Sequence, residues 1–256
     1  MADRPMVRRA APLLLGLAAF LLLGEASGKD PVADLVYQRI EIPGAGVAHQ
    51  LEIDLLSAEL RVLDSRDHDL AAMTAKEFAE KTGAAAVLNG PFFDIDGSPM
   101  GLLVVDGKER QKLRRADWGV FYVDGAGAHI VHTRDFGGGS GTRQAFQVGP
   151  RLVVDGEVLG LKPQSARRTA VCTKSSGKVV ALVSAASVPA ADLARYLAAQ
   201  GCVNALNLDG GPSSQLFVNS GDLQVDVPGG TGVPIALAVF PKRPAEERPA
   251  KGSGCW

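Results

Sequence analysis

The sequence predicts an α+β fold, a mixed sheet of short strands with a few packed helices, built as two related helix-then-strand halves. Residues 51–55 alternate apolar and polar side chains, which is the pattern of a strand with one solvated face. Two short segments carry helix start and stop signals, and an apolar strand-like run follows each of them. With 256 residues, 46% of them hydrophobic, the chain is long enough for one sizeable core.

The first predicted helix begins at a capping box. Thr74 and Glu77 have the three-residue spacing at which each side chain accepts a hydrogen bond from the other's backbone N–H group. Gly83 marks the end of this helix, since glycine readily adopts the left-handed conformation that closes a helix. Residues 84–88 follow as an apolar run, so the helix is expected to lead directly into a buried strand.

The second predicted helix repeats this arrangement over residues 190–200. Pro189 precedes it and Gly201 follows it, which is the asymmetry typical of helix termini. Residues 203–208 then form the second apolar run. Two further segments, 101–107 and 150–156, end an apolar run with Asp-Gly and are expected to be hairpins, because both residue types tolerate positive φ.

The two ends of the chain differ in composition from the predicted domain at residues 32–241. Residues 1–28 resemble a signal peptide, with arginines before an apolar run at residues 10–23. An uncleaved N-terminal anchor is the alternative, and it is the only membrane contact we expect. Residues 242–256 are proline-rich and polar, so they are expected to be a disordered tail. The predicted location is therefore exported, either periplasmic or secreted.

Charge and cysteine content exclude several classes of function. The chain has 27 basic and 28 acidic residues and a formal charge of −1, so nucleic acid is not an expected partner. The four histidines show no metal-binding spacing, and no cofactor or metal is predicted. Cys172, Cys202 and Cys255 are too few for a disulfide framework. Two buried free thiols at Cys172 and Cys202 are the favoured interpretation, and a bridge between them is the alternative.

The first candidate site residue is Asp209, which follows the apolar strand at 203–208. Alternation along that strand places Asn207 and Asp209 on the same face. Gly210 and Gly211 then let the backbone approach a ligand closely and offer N–H groups to an anionic oxygen. Capping of the turn by Asp209 is the purely structural alternative.

The second candidate region follows the first apolar run. Asn89 and Gly90 end that run, and Phe92, Phe93 and Asp94 come next. Aromatic rings beside hydrogen-bonding groups suit a sugar, which has C–H groups on its face and hydroxyls at its edge. The alternative is that the two phenylalanines belong to the core, as we expect for at least one of them.

The third candidate is Arg168, at the start of an apolar strand. Alternation sends Arg167 and Arg168 to opposite faces, and an inward arginine needs an anionic partner. A phosphate group matches the planar guanidinium, and a structural carboxylate is the alternative partner.

Together these segments resemble the phosphodiester glycosidase family. The resemblance is carried by four ordered motifs over about residues 84–240, at 89–93, 100–104, 168–171 and 204–213. The residues that match the family pattern are Asn89, Gly90, Phe92, Phe93, Arg168, Thr169, Asn207, Asp209, Gly210, Gly211 and Ser213. Pro91 and Pro212 stand where the family usually has glycine, and proline can neither donate a backbone hydrogen bond nor adopt positive φ.

The resemblance implies an exported hydrolase that cleaves the glycosyl–phosphate bond of a sugar phosphodiester. A non-catalytic protein that binds an envelope glycan or phosphate on the same scaffold is the alternative, and the two prolines favour it. If Asp94 takes part with Asp209, their separation would indicate a retaining or an inverting course. The candidate catalytic residues are Asp209, Arg168 and Asn89, and the candidate substrate-binding residues are Gly90, Phe92, Phe93, Asp94, Asn207, Gly210, Gly211 and Ser213.

Overall fold

The computed structural model describes residues 35–139 and 141–242. The predicted signal at 1–28 and the predicted tail from residue 243 onwards lie outside the described residues. Within the described ranges no helix has both the length and the apolar character needed to cross a membrane.

Strands dominate the described chain. In chain order they are β1 (Val36–Ile42), β2 (Gly46–Ile53), β3 (Ala58–Asp64), β4 (Ala86–Asn89), β5 (Leu103–Val105), β6 (Lys108–Gln111), β7 (Gly119–Val123), β8 (Ala128–His132), β9 (Gln144–Val148), β10 (Arg151–Val154), β11 (Glu157–Val158), β12 (Ser165–Ala166), β13 (Thr169–Lys174), β14 (Val179–Ser184), β15 (Val188–Pro189), β16 (Cys202–Asn207), β17 (Leu216–Ser220), β18 (Leu223–Val227) and β19 (Ile235–Pro241). The two α-helices of this part of the chain are α1 (Ala75–Thr82) and α2 (Ala190–Ala199).

The strands form three larger sheets and one two-stranded ladder. A seven-stranded sheet has the order β1-β2-β14-β13-β16-β10-β11, and two five-stranded sheets have the orders β18-β17-β4-β19-β3 and β6-β5-β9-β7-β8. The predicted α+β class fits broadly, although strands greatly outnumber helices in the described chain. The prediction of a mixed sheet is wrong, because every strand pairing among the described residues is antiparallel.

Both predicted helices form with the expected ends. Thr74 Oγ1 accepts from the Glu77 N–H group, the Glu77 carboxylate accepts from the Thr74 N–H group, and Gly83 closes α1 in the left-handed conformation. Helix α2 follows Pro189 at its N-cap, and Gly201, with φ of 81°, lies just past its end. Because a capping box and a terminal glycine act within one helical turn, local sequence is sufficient to specify them.

Each helix leads into an interior strand of a sheet. Strand β4, after α1, lies between β17 and β19, and β16, after α2, lies between β13 and β10. The main core fills the space between the sheets and includes Leu88, Phe121 and Leu206. A second cluster packs under α2 and a third under α1. The two predicted hairpins also form, with Asp106 and Asp155 at positive φ.

Cys172 and Cys202 form a disulfide bond, so the favoured prediction of two free thiols is wrong. The bond joins β13 to its neighbour β16, with the two Cα atoms 5.7 Å apart. The sequence could not show this pairing, because it depends on which strands become neighbours in the sheet. Both sulfurs are buried beneath α2.

Removing this disulfide should lower the free energy of unfolding by about 3 kcal/mol, because the bond restricts a long loop in the unfolded chain. The bonded residues are 30 apart in sequence. Urea unfolding of the double variant Cys172→Ala/Cys202→Ala measures the loss. Cys255→Ser is the matched control and should unfold like the parent chain. An equal midpoint for the double variant and the parent would contradict a stabilising role for the bond.

Candidate functional site

The two helix-then-strand halves meet where their strands end. The Asp209 N–H group, just beyond β16, donates to the Gly90 carbonyl at 3.1 Å, just beyond β4. In return, the Asn89 side-chain amide donates to the Asp209 carbonyl at 2.8 Å. Two motifs separated by about half of the chain therefore lie against each other, as the site prediction requires.

Asn89 lies behind this junction and is 0% exposed. Its side-chain oxygen accepts from the Thr169 hydroxyl at 2.7 Å and from the Gln215 N–H group at 3.2 Å. Together with its bond to the Asp209 carbonyl, these bonds connect the end of β4 to β13 and to the chain that follows β16. Asn89 is thus placed to position Asp209, and its polar atoms contact protein groups.

Asn89→Ala should lower the free energy of unfolding by about 3 kcal/mol, because it removes hydrogen bonds to the buried Thr169 and Gln215 and to the partly buried Asp209 carbonyl. Chemical denaturation measures this loss. Asn219→Ala is a suitable control, since the Asn219 side chain makes no hydrogen bond within the described part of the chain. The control should lower the free energy of unfolding by well under half as much. An equal decrease in both variants would contradict the positioning role of Asn89.

Asp209 is largely enclosed, and burial raises the pKa of its carboxyl above the ordinary value. Hydrogen bonds from the Ser213 side chain and the Gly210 backbone act in the opposite direction and lower the pKa. The Gly210 N–H group donates to Oδ1 at 2.9 Å. No described cation forms an ion pair with this carboxylate.

The two glycines after Asp209 are required by the backbone. A Cβ atom on Gly210 would lie 2.8 Å from the Arg167 carbonyl oxygen, and Gly211 has φ of 59°. Both N–H groups are used inside the protein, that of Gly210 by Asp209 and that of Gly211 by the Arg167 carbonyl at 2.8 Å. The expectation that these N–H groups face an anion is therefore corrected, and the glycines instead shape the turn.

Pro212 fits this turn without loss of a needed donor. It is at the start of a short 3₁₀-helix, Gly211–Ser213, where a backbone N–H group lacks a helical partner in any case. Its carbonyl accepts from the Gly230 N–H group at 2.7 Å. The positive φ that demands glycine is at Gly211, one residue earlier. Pro91, the other departure from the family pattern, is buried directly after Gly90.

Arg168 is 9% exposed, and burial lowers the pKa of its guanidinium. The guanidinium donates to two backbone carbonyls, from Nη2 to Gln164 at 2.6 Å and from Nε to Val188 at 3.3 Å. It forms no ion pair with a carboxylate of the described residues, so a structural salt bridge does not account for it.

Arg168 and Asp209 lie just beyond the paired ends of β13 and β16. The last register pair before them joins Ala170 on β13 to Asn207 on β16. Backbone hydrogen bonds bracket this pair, one from Leu208 to Thr169 and one from Gly211 to Arg167, each at 2.8 Å. A buried cation and a partly buried carboxylate thus extend from neighbouring chain segments, with no ion pair between them.

The two remaining candidate residues near Asp209 are Asn207, the last residue of β16, and Ser213, whose side chain bonds to Asp209. Asn207 is 2% exposed, so both faces of this strand are buried and the expected polar face is covered. Its side-chain nitrogen donates to the Leu208 carbonyl at 2.6 Å. Its side-chain oxygen accepts no hydrogen bond from the described residues. That oxygen is itself buried, so it is not accessible to a ligand in this structure.

The residues after Gly90 separate in the structure. Phe93 is partly buried against the cluster beneath α1, and Phe92 is partly buried against the main core, so both rings have a packing role. The Phe92 ring is also edge-to-face with Trp118, at 5.5 Å between centroids. Asp94 is exposed on a tight loop, where it accepts from the Ile95 N–H group at 2.8 Å. No contact joins Asp94 to Asp209.

Sequence reasoning did not identify Gln215, which links the site to α1. Its side-chain oxygen accepts from the Ala75 N–H group at 2.7 Å. Its side-chain nitrogen donates to the carbonyls of Ser213 and Thr231, at 3.1 and 3.0 Å. The available signal was a polar residue directly before the buried strand β17, and Gln215 is indeed 1% exposed.

Other features of the described chain lie away from this site. No group of three or more His, Cys, Asp or Glu residues in the described ranges is arranged to hold a metal ion. Two surface pockets, one beside Tyr196 on α2 and one beside Arg143, contain none of the candidate residues. Neither pocket is lined by residues at the ends of β4 and β16.

The sequence matches the family model described as phosphodiester glycosidase over residues 82–240. No curated protein sequence is significantly similar to the chain. One similar solved structure is the zebrafish N-acetylglucosamine-1-phosphodiester alpha-N-acetylglucosaminidase catalytic domain, auto-inhibited by its pro-peptide. It has a TM-score of 0.62 and 18% identity, and the match covers 82% of each chain.

A hypothetical protein from Synechocystis is also similar, with a TM-score of 0.58 and 16% identity. That match covers 80% of this chain and 61% of the other. At these identities the two structures establish a shared fold. The family match spans the segments that carry Asn89, Arg168 and Asp209.

Proposed function

This chain belongs to the phosphodiester glycosidase family, and from that premise we propose that it hydrolyses the glycosyl–phosphate bond of a sugar phosphodiester. The observation that carries the proposal is the pair of uncompensated charges at Arg168 and Asp209. Burial of an unpaired charge destabilises a fold, so such groups are typical of functional sites. A phosphodiester anion and a sugar ring are the complementary ligands.

Arg168 binds the phosphodiester anion in this proposal. Its guanidinium is fixed by two backbone carbonyls, so little conformational freedom is lost when an anion binds. The low-polarity surroundings that lower its pKa also strengthen its attraction for an anion. Phe92 packs against the sugar face.

Asp209 acts as the general base. Water attacks the anomeric carbon, its proton passes to the Asp209 carboxylate, and the bond between that carbon and the phosphate oxygen breaks. The phosphate monoester leaves with the bonding electrons, and the sugar keeps the new hydroxyl. Burial raises the pKa of Asp209 towards the range in which a carboxylate accepts a proton effectively.

Turnover of a panel of synthetic sugar phosphodiesters tests this proposal. The panel varies the sugar while keeping a chromogenic aryl phosphate, and Asp209→Asn is measured alongside the parent chain. Release of free sugar by the parent and not by the variant is the expected result. Tight binding without turnover across the panel would instead favour the non-catalytic glycan-binding alternative.

Export is the second part of the proposal. Disulfides persist in oxidising compartments, and the bond between Cys172 and Cys202 supports such a location. Residues 1–28 provide the candidate signal. Cell fractionation with N-terminal sequencing of the mature protein is the test, and a cytoplasmic chain that retains residues 1–28 would contradict export.

A further inference from the structure

A basic and aromatic surface borders the candidate site and shares Phe92 with it, and the proposed chemistry does not account for its other residues. It consists of Lys112, Arg114, Arg115 and Trp118 on the connection between β6 and β7, together with Phe92. The three basic side chains are exposed, and Trp118 is half-buried. We propose that this surface binds an anionic glycan, one that carries carboxylate or phosphate groups and extends from the sugar phosphodiester held in the site.

The surface adjoins the site through two chain segments. Phe92 is two residues beyond Gly90, whose carbonyl accepts the Asp209 N–H group. Trp118 packs so closely on Gly149 that a Cβ atom there would lie 2.7 Å from the indole ring. The next residue, Pro150, accepts a backbone hydrogen bond from Asn207 at 3.0 Å. A glycan bound at Asp209 therefore has this surface within reach.

The loop that carries Arg114 is held in a defined position by Gln147, which is 1% exposed. The Gln147 side-chain oxygen accepts from the Arg114 N–H group at 2.9 Å, and its nitrogen donates to the Arg114 carbonyl at 2.8 Å. The same amide also contacts the Leu102 N–H group and the Thr133 hydroxyl. A buried, fully bonded glutamine thus fixes the backbone at Arg114, as a prepared binding surface requires.

The charges of this surface are available to a ligand. Lys112, Arg114 and Arg115 form no ion pair with any carboxylate in the described ranges. Asp117, on the same connection, contacts His132 at 3.0 Å and Arg151 at 4.0 Å. The surface is therefore positive, although the whole chain has a formal charge of −1.

The aromatic groups select a glycan over a simple anion. The Arg114 guanidinium lies over the Trp118 ring, 5.6 Å from its centroid, and Phe92 meets the same ring edge-to-face. A half-buried indole beside guanidinium groups binds the C–H face of a sugar and its acidic substituent together. Position next to a sugar-phosphodiester site favours a glycan over nucleic acid, and in this respect the inference rests on the proposed function.

Tryptophan fluorescence provides a direct test by binding alone. The chain has two tryptophans, so Trp256→Phe leaves Trp118 as the single reporter. Trigalacturonate is the probe, and its fully methyl-esterified form is a neutral control of the same shape. We expect trigalacturonate to change Trp118 fluorescence and to bind about tenfold more tightly than the ester. Arg114→Gln in the same background should remove most of this preference, and 0.5 M salt should weaken it.

Matched variants decide the outcome. Arg39→Gln, on the exposed edge strand β1, removes one positive charge far from the surface and should bind like the parent. Equal affinity for the acid and the ester, or a loss of binding in Arg168→Gln but not in Arg114→Gln, would overturn the inference. Tighter binding of oligo(dT) than of trigalacturonate would also overturn it. The experiment measures binding and not turnover. Its result therefore tests this surface even if the protein does not hydrolyse sugar phosphodiesters, and the two proposals can fail separately.

Discussion

Asp209→Asn is expected to lower kcat for sugar phosphodiester hydrolysis at least about a hundredfold, because the amide cannot accept the proton from the attacking water. The carboxylate position itself should be preserved. An asparagine oxygen can still accept from the Gly210 N–H group, which now donates to Oδ1 at 2.9 Å. The loss should appear in kcat with little change in KM, as expected when a group acts mainly in the transition state.

Asp226→Asn is the matched control for this variant. Asp226 is exposed on β18 and is an aspartate outside the site, so its variant should retain the parent rate. Steady-state kinetics at several pH values provides the measurement. Parent-like kcat in Asp209→Asn would remove Asp209 from the chemistry and leave it only the turn-capping role.

The Asp209→Asn substitution should raise the free energy of unfolding at neutral pH. Since burial raises the folded-state pKa of Asp209 above its unfolded value, its stabilising contribution is present below the unfolded pKa. That contribution is lost as the pH rises through the folded pKa, so at neutral pH the ionised carboxylate destabilises the fold. Asp209→Asn should therefore show a higher Tm than the parent at pH 7, and the difference should shrink at pH 3.

Arg168→Gln is expected to lower kcat/KM about a hundredfold or more, because it removes the buried cation that binds the phosphodiester. Glutamine can still donate a hydrogen bond, so the variant tests charge more than polarity. Arg168→Lys should recover only part of the loss, since lysine lacks the planar fork that contacts the Gln164 and Val188 carbonyls.

A folding effect of Arg168→Gln must be separated from a binding effect. Thermal unfolding of each variant provides that separation, and it is combined with binding of inorganic phosphate measured by calorimetry. We expect Arg168→Gln to remain folded but to bind phosphate weakly. A folded Arg168→Gln variant with parent affinity for phosphate and parent kcat/KM would show that Arg168 has a structural role only.

Local sequence was sufficient for the elements whose signals lie within a few residues. The capping box at Thr74 and Glu77, the terminal Gly201 and the two Asp-Gly hairpins all formed as predicted. The candidate residues Asn89, Arg168 and Asp209 could also be selected, because each is a polar residue beside the first or last residue of an apolar strand, or is that residue. Patterns of this kind place a side chain along a strand but do not assign its partners.

Long-range pairing determines what the sequence could not show. Asn89 contacts Thr169, Asp209 and Gln215, which are 80, 120 and 126 residues away in the chain. Only the assembled sheets show that the side-chain amide of Asn89 is hydrogen-bonded to these protein groups. The antiparallel pairing of the described strands and the bond between Cys172 and Cys202 depend in the same way on strand order.

Hydrolysis in ¹⁸O-labelled water tests the central claim most directly. A reactive sugar phosphodiester is converted by the parent chain, and mass spectrometry locates the label in the two products. We predict that ¹⁸O enters the anomeric hydroxyl of the released sugar, because water attacks carbon, and that Asp209→Asn abolishes this incorporation. Label in the phosphate monoester would show cleavage of the phosphorus–oxygen bond and would contradict a glycosidase mechanism.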